Sequence, residues 1–200
     1  MMFLISGNFK NMKLILCALL LLATTYDVTA SKTTRLYVDQ FPPGSEHLQL
    51  PNILHFSIFM EKDTGHHYTH LPLLVESMRY NPKVQFVIIN IAENPALGFG
   101  GKMTALAAQL GATNLKIVTE NIAAFTDRVY RRLNIRVPFT YDWYYKLCDY
   151  KPTLAYLYPE LLDEKEYKYW GYGDMDIIWG NFSRFAGLFQ GQHQFIISGT

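Results

Sequence analysis

Two stretches of the chain are almost continuously apolar and rich in β-branched and aromatic residues, Ile53–Met60 (ILHFSIFM) and Val84–Ile91 (VQFVIINI). Runs this short predict strands covered on both faces, as in a parallel sheet packed between helices. Between them the period changes. In Leu71–Met78 (LPLLVESM) the apolar Leu73, Leu74 and Met78 recur at helical spacing, and Asn81-Pro82 stops the helix because a proline disfavours helical backbone in the residue before it. Met103–Leu110 predicts a second helix and Leu115–Val118 a third strand. A third helix follows over Ile122–Leu133, where Phe125, Val129 and Leu133 are spaced by four. The alternation β-α-β-α-β-α predicts an α/β layered domain on a mostly parallel sheet, with its ligands at the carboxyl ends of the strands. Pro138 and the aromatic stretch to Tyr150 interrupt the pattern. A further helix is expected from about Pro152, since proline is tolerated at a first helical position.

The amino terminus reads differently. Lys10 and Lys13 precede the apolar run Leu14–Ala23 (LILCALLLLA), followed by Thr24-Thr25 and by Val28-Thr29-Ala30 ahead of Ser31. This is the layout of a secretory leader covering residues 1–30, with a linker to residue 51 and the folded domain over 52–200. The run is about half of the roughly 20 apolar residues a membrane span needs. A short signal anchor helped by Met1–Ile5 stays open as the second reading, and a membrane is a partner only in that case. The expected location is the secretory pathway, either extracellular or in the Golgi or ER lumen. Of the two cysteines, Cys17 lies inside the apolar run, so Cys148 would be alone after cleavage. Its neighbours Tyr144, Tyr145, Leu147 and Tyr150 suggest a small buried hydrophobe rather than a nucleophile. With 18 basic against 17 acidic residues and no long run of like charge, the chain lacks the electrostatic footprint of a nucleic-acid binder.

The most specific chemistry lies in Tyr169–Asn181, YWGYGDMDIIWGN. Two carboxylates, Asp174 and Asp176, stand one residue apart. In a regular strand they would share a face and repel, so something cationic belongs with them. A hard divalent ion, Mg²⁺ or Mn²⁺ bridging a ligand's phosphates, needs only one or two protein carboxylates. Gly171, Gly173 and Gly180 allow close approach of the backbone to a bulky ligand. The bland alternative is a solvated acidic turn.

An Asp-x-Asp after an apolar strand in an α/β domain resembles the signature of GT-A-fold glycosyltransferases, which have a Rossmann-like nucleotide-sugar-binding domain. More closely, the chain is similar to a glycosyltransferase-like group associated with capsular and surface polysaccharide synthesis. Two segments carry that resemblance, Tyr145-Lys146-Leu147-Cys148-Asp149-Tyr150-Lys151-Pro152 and Trp170-Gly171 through Asp174, Asp176 and Gly180, and it extends to Leu74–Asn81 (LVESMRYN). It implies metal-dependent transfer of a sugar from a nucleotide-sugar donor to a glycan or glycoconjugate acceptor. Asp174 and Asp176 would hold Mn²⁺ or Mg²⁺ against the donor diphosphate, where the metal offsets charge building on the leaving group. Asp149 would accept from a ribose or sugar hydroxyl and Lys151 would contact a phosphate. Trp170 and Tyr172 would line the donor pocket, with plain core packing as the competing role for both.

One departure bears on activity. The sequence ends at Thr200, soon after Asp176, whereas that family runs on to build an acceptor pocket, so the expected content is the donor half, a GT-A domain read as truncated. A secreted, non-catalytic carbohydrate- or protein-binding module derived from the same fold is the alternative. Other motifs are weaker. Gly98-Phe99-Gly100-Gly101-Lys102 fails the Walker pattern, which requires Gly at Ala96 and Ser or Thr at Met103, and reads as a flexible loop. His66, His67 and His70 lack flanking ligands at a familiar spacing, and His193 is more naturally structural than a metal ligand. The sequon Asn181-Phe182-Ser183 would place a glycan where it obstructs the Asp-x-Asp site.

Overall fold

The computed structural model describes residues 2–6, 49–61, 69–92, 98–136, 141–189 and 195–198. The two apolar runs form β2 (Ile53–Glu61) and β3 (Val84–Ala92), paired in parallel from Ile53↔Val84 to Glu61↔Ala92. β4 (Leu115–Glu120) pairs parallel to β3, and β5 (Tyr169–Tyr172) pairs parallel to the other side of β2. β1 (Met2–Ser6) runs antiparallel to both β5 and β6 (Phe195–Ser198). The order across the sheet is β4-β3-β2-β5-β1-β6. Its four parallel strands with covering helices make this an α/β, Rossmann-like fold, as the alternation predicts. β1 falls within residues 1–30, read above as a leader, and most of that segment, the linker to residue 48, His66, His67 and His193 lie outside the described residues.

Strand parity divides the apolar runs between two cores. Ile53, Val84, Phe86 and Ile88 face α1 (Leu71–Arg79), α2 (Phe99–Leu110) and the segment Trp179–Phe189. Leu54, Phe56, Val87 and Ile89 face α3 (Ile122–Leu133), the 3₁₀ stretch Tyr141–Thr153 and α4 (Leu154–Leu157). Each of these side chains is essentially inaccessible, which is why the runs need no polar alternation. On α1 the buried stripe is Leu71, Leu74, Val75 and Met78, whereas Leu73 is 58% exposed, one position off the expected face. Leu50 already belongs to the core, just before the expected domain boundary at 52.

Side-chain amides fix the helix ends. The Asn121 carboxamide accepts from the Ala124 N–H at 2.8 Å, an N-cap for α3, and Asn134 in left-handed conformation ends that helix. The buried Asn114 Nδ2 donates toward the carbonyls of Met78, Asn81 and Val84 at 2.8–3.0 Å and so holds the α1–β3 turn against β4. α2 begins at Phe99, four residues before the periodicity suggests, so the glycine-rich stretch is a helix start rather than a loop. The helix expected from Pro152 is shorter and later than predicted: Pro152 sits inside the 3₁₀ stretch, and α-helical winding covers only Leu154–Leu157. Among the described residues no helix is long and apolar enough to cross a membrane.

Candidate functional site

β2 connects through α1 to β3 on one side, while β5 arrives on its other side, so the strand order reverses between β2 and β5. In open α/β sheets this reversal opens a crevice at the carboxyl ends of the two strands. β5 stops at Tyr172, its last partner being Phe56, and one more backbone bond, Gly173 N–H to the Phe56 carbonyl at 3.0 Å, extends the contact. β2 continues to Glu61 without β5 beside it, and Asp174 emerges at that notch.

Lys151 reaches the same point from the 3₁₀ stretch on the other core face. Its ammonium donates to the Asp174 carboxylate, with the lysine side chain 12% exposed and the aspartate 42%. Burial disfavours the lysine's charge, but the Asp174 carboxylate, aided by the Cys148 thiol, outweighs it and holds the ammonium above its ordinary range. The two segments that carry the resemblance therefore meet in space, 23 residues apart in sequence. Asp176 is exposed, on a bend rather than a strand, so the shared strand face predicted for the two carboxylates does not form; the strand ends before either of them.

Other expected site residues are placed differently. Trp170 is 2% exposed and packs edge-on against Phe56 with ring centroids 6.5 Å apart, so it is a core residue and does not line a donor pocket. Tyr172, two residues on and on the same face, is half-buried at the rim with Trp170 behind it, and burial pushes its phenol up to about 12. Asp149 turns to solvent beside the Lys146 ammonium at 3.5 Å. Cys148 is exposed, correcting the buried reading: the 3₁₀ winding directs Leu147 inward instead. Asn181 is exposed, its side-chain oxygen accepting from the Ser183 N–H at 2.9 Å.

Three residues that the sequence did not assign to the site support the Asp-x-Asp segment. Ser77 Oγ accepts from the Trp179 N–H at 3.1 Å while donating to the Leu74 carbonyl. Asn81 Nδ2 donates to the carbonyls of Ser77 and Gly180, and its Oδ1 accepts from the Phe182 N–H at 2.8 Å. The signal available was Ser77 on the buried stripe of α1 and Asn81 four residues on, just past the helix end. Beneath Gly173 lies His55, fully buried, edge-on to Trp179 at 4.6 Å, with both ring nitrogens lacking a partner. Burial drives its pKa down to about 3 against a weaker opposing pull from Asp174, so the imidazole is neutral. A Cβ at Gly173 would stand 2.9 Å from His55 Nε2, so only glycine lets the backbone pass over the ring.

The start of α2 carries no free anion site. The Phe99 N–H donates to Glu61 Oε1 at 2.5 Å, and Asn90 Nδ2 donates to Glu61 Oε2 at 3.1 Å. The chain's own carboxylate thus takes the position a phosphate would use. At the end of β4, Tyr158 donates to Glu120 under the Arg128 guanidinium, 4.2 Å from the ring, and Arg128 pairs with Glu160 at 2.7 Å; this cluster ties α3 to α4. A cavity of about 320 Å³ bordered by Gln85, Lys116, Leu161 and Tyr167 lies at the amino ends of the strands, opposite the notch.

Among the described residues no group of three or more His, Cys, Asp or Glu side chains is placed to cage a metal ion. Asp174, partly exposed, and Asp176, exposed, are hard-oxygen donors of the kind that suits Mg²⁺ or Mn²⁺ whose remaining ligands come from a bound molecule or water rather than an all-protein site.

A family of unknown function, DUF6625, matches residues 64–197, and the chain belongs to it. No curated protein and no solved structure matches.

Proposed function

We propose that this DUF6625 member is the donor-binding domain of a metal-dependent GT-A-type glycosyltransferase, transferring a sugar from a nucleotide-sugar to a glycan or glycoconjugate in the secretory pathway. The observation that carries the reading is the Lys151–Asp174 pair at the carboxyl end of β5, where the strand order reverses. A carboxylate paired with a cation at that crevice, followed two residues on by an exposed second carboxylate, suits a diphosphate with its divalent ion. Asp174 and Asp176 would hold Mn²⁺ or Mg²⁺, which when bound offsets charge on the departing nucleotide. Lys151 supplies a point charge to a phosphate oxygen. Tyr172, half-buried at the rim, offers a ring face and a hydroxyl that stays protonated at neutral pH.

Calorimetric titration of UDP and GDP into the full chain, with and without Mn²⁺, tests the reading. Metal-dependent binding that Asp174→Asn and Asp176→Asn each abolish, in variants with unchanged circular dichroism, supports it. Equal binding by parent and both variants removes the metal assignment. A second reading, a non-catalytic carbohydrate- or protein-binding module, draws on the same pair, since Lys151 already neutralises Asp174 without a metal. Glycan binding indifferent to chelator would favour it.

A further inference from the structure

We propose that Lys151 couples the two ligands of this site: its ammonium occupies Asp174 until a diphosphate arrives, so that a divalent cation and a nucleoside diphosphate bind together and each binds poorly alone. The inference rests on the donor-site reading above and adds to it a reason for ligand interdependence.

Exposure shows which partner of the pair is confined. Lys151 is 12% exposed and Asp174 is 42% exposed, so the ammonium sits inside and the carboxylate keeps an open side toward solvent. A divalent ion approaching from that open side meets a carboxylate already engaged by a cation, and three positive charges then face the two negative ones of Asp174 and Asp176. The ammonium must leave, but a mostly desolvated ammonium needs another anion. Asp149, the other carboxylate of the same segment, is turned to solvent beside Lys146. Phosphate oxygens brought by the ligand provide the missing anion, and a nucleoside without phosphates does not.

The mobile member of the pair is also determined. Asp174 follows Gly173, which is held by the Phe56 carbonyl and walled by His55 and Trp179, and the segment beyond it is tied to α1 through Ser77 and Asn81. The carboxylate is therefore fixed at its backbone. The 3₁₀ stretch bearing Lys151 is fixed as well, through buried Leu147 and the Thr153 hydroxyl bonded to the Tyr150 carbonyl at 2.8 Å. What can move is the four-carbon lysine stem, which is flexible enough to carry its charge from Asp174 to a phosphate. The neutral His55 below brings no rival cation.

The test uses the full chain with Mn²⁺ followed by electron paramagnetic resonance, alone and with UDP, GDP, CDP or ADP, in the parent, Lys151→Met and Lys151→Arg. Methionine keeps the length and removes the charge. In the parent, a nucleotide that binds raises Mn²⁺ affinity about tenfold or more. Lys151→Met binds Mn²⁺ alone about tenfold more tightly than the parent and loses most of the nucleotide effect. Lys151→Arg keeps the charge and retains the coupling. Circular dichroism checks that all three are folded. If Lys151→Met binds Mn²⁺ alone no better than the parent while nucleotide still enhances binding in both, the coupling role falls and the donor-site reading stands. If neither the parent nor Lys151→Arg binds any of these nucleotides with Mn²⁺, both fall together.

Discussion

Gly173→Ala is the sharpest probe of how the Asp-x-Asp segment is held. The added methyl would stand 2.9 Å from His55 Nε2, 3.1 Å from Trp179 Cη2 and 3.3 Å from His55 Cε1. Neither ring has room to retreat: His55 is fully buried between Phe86, at a centroid distance of 5.5 Å, and Trp179, whose backbone N–H is bonded to Ser77. Relief requires the backbone to lift from the Phe56 carbonyl or the two rings to repack, an overpacking penalty of about 1–3 kcal/mol. Urea denaturation should show a lower midpoint with an unchanged slope. Gly101→Ala provides the contrast, since nothing lies within 4 Å of its Cβ and it sits inside α2; there alanine should stabilise by up to about 1 kcal/mol. Because the clash is with the imidazole, His55→Ala should absorb part of the Gly173→Ala penalty, giving a double-mutant coupling of roughly 0.5–3 kcal/mol. A Gly173→Ala protein within about 0.5 kcal/mol of the parent, or strict additivity with His55→Ala, would refute this account of the close approach.

His55 also sets a pH response. Its folded pKa of about 3 lies below the unfolded value of 6.5, so between those values the unfolded chain takes up a proton that the folded one refuses, and stability falls as pH drops. The contribution approaches 1.4 kcal/mol per pH unit within that window; denaturation from about pH 6 to about pH 4 should show a shallower slope in His55→Leu, and identical slopes would mean the imidazole is not held neutral. Asn81→Ala strands the Phe182 N–H and the carbonyls of Ser77 and Gly180. It should destabilise by about 1–3 kcal/mol and speed hydrogen exchange at Trp179 and Phe182, whereas unchanged exchange would separate Asn81 from the segment. Trp170→Ala empties a fully packed core site and should lose about 3–5 kcal/mol, read as a fall in thermal midpoint; a surface-like loss under 1 kcal/mol would contradict its burial. Asp149→Asn should leave nucleotide affinity unchanged, because Asp149 faces solvent, and a large loss would put it back in the site.

The sheet was readable because β2 and β3 are short runs, apolar on both faces and rich in β-branched and aromatic residues, features that together favour a buried strand over a buried helix. α3 was readable because Phe125 and Val129 form its only buried stripe. The start of α2 was not, since Gly98, Gly100 and Gly101 weigh against a helix locally and the force that overrides them comes from Glu61, distant in sequence. Trp170 and Tyr172 share a face of β5, and no pattern within four residues says that the first is sealed by Phe56 while the second reaches the rim. The same gap hid Cys148, where one step of 3₁₀ winding exchanges an inward Leu for an outward Cys. For the site, Asp174 was named from the paired carboxylates and Lys151 through resemblance, but that they touch is a property of topology and could not come from spacing.

The position of β1 has a consequence for the order in which the sheet closes. Its two partners, Tyr169–Tyr172 and Phe195–Ser198, are far from it in sequence. β2, β3 and β4 instead pair in succession, each with a strand one helix away. Short closures cost less chain entropy than long ones, so the β2–β3–β4 layer can assemble before the β1 edge is added. The antiparallel edge is thus the late, long-range part of a sheet whose parallel centre is local.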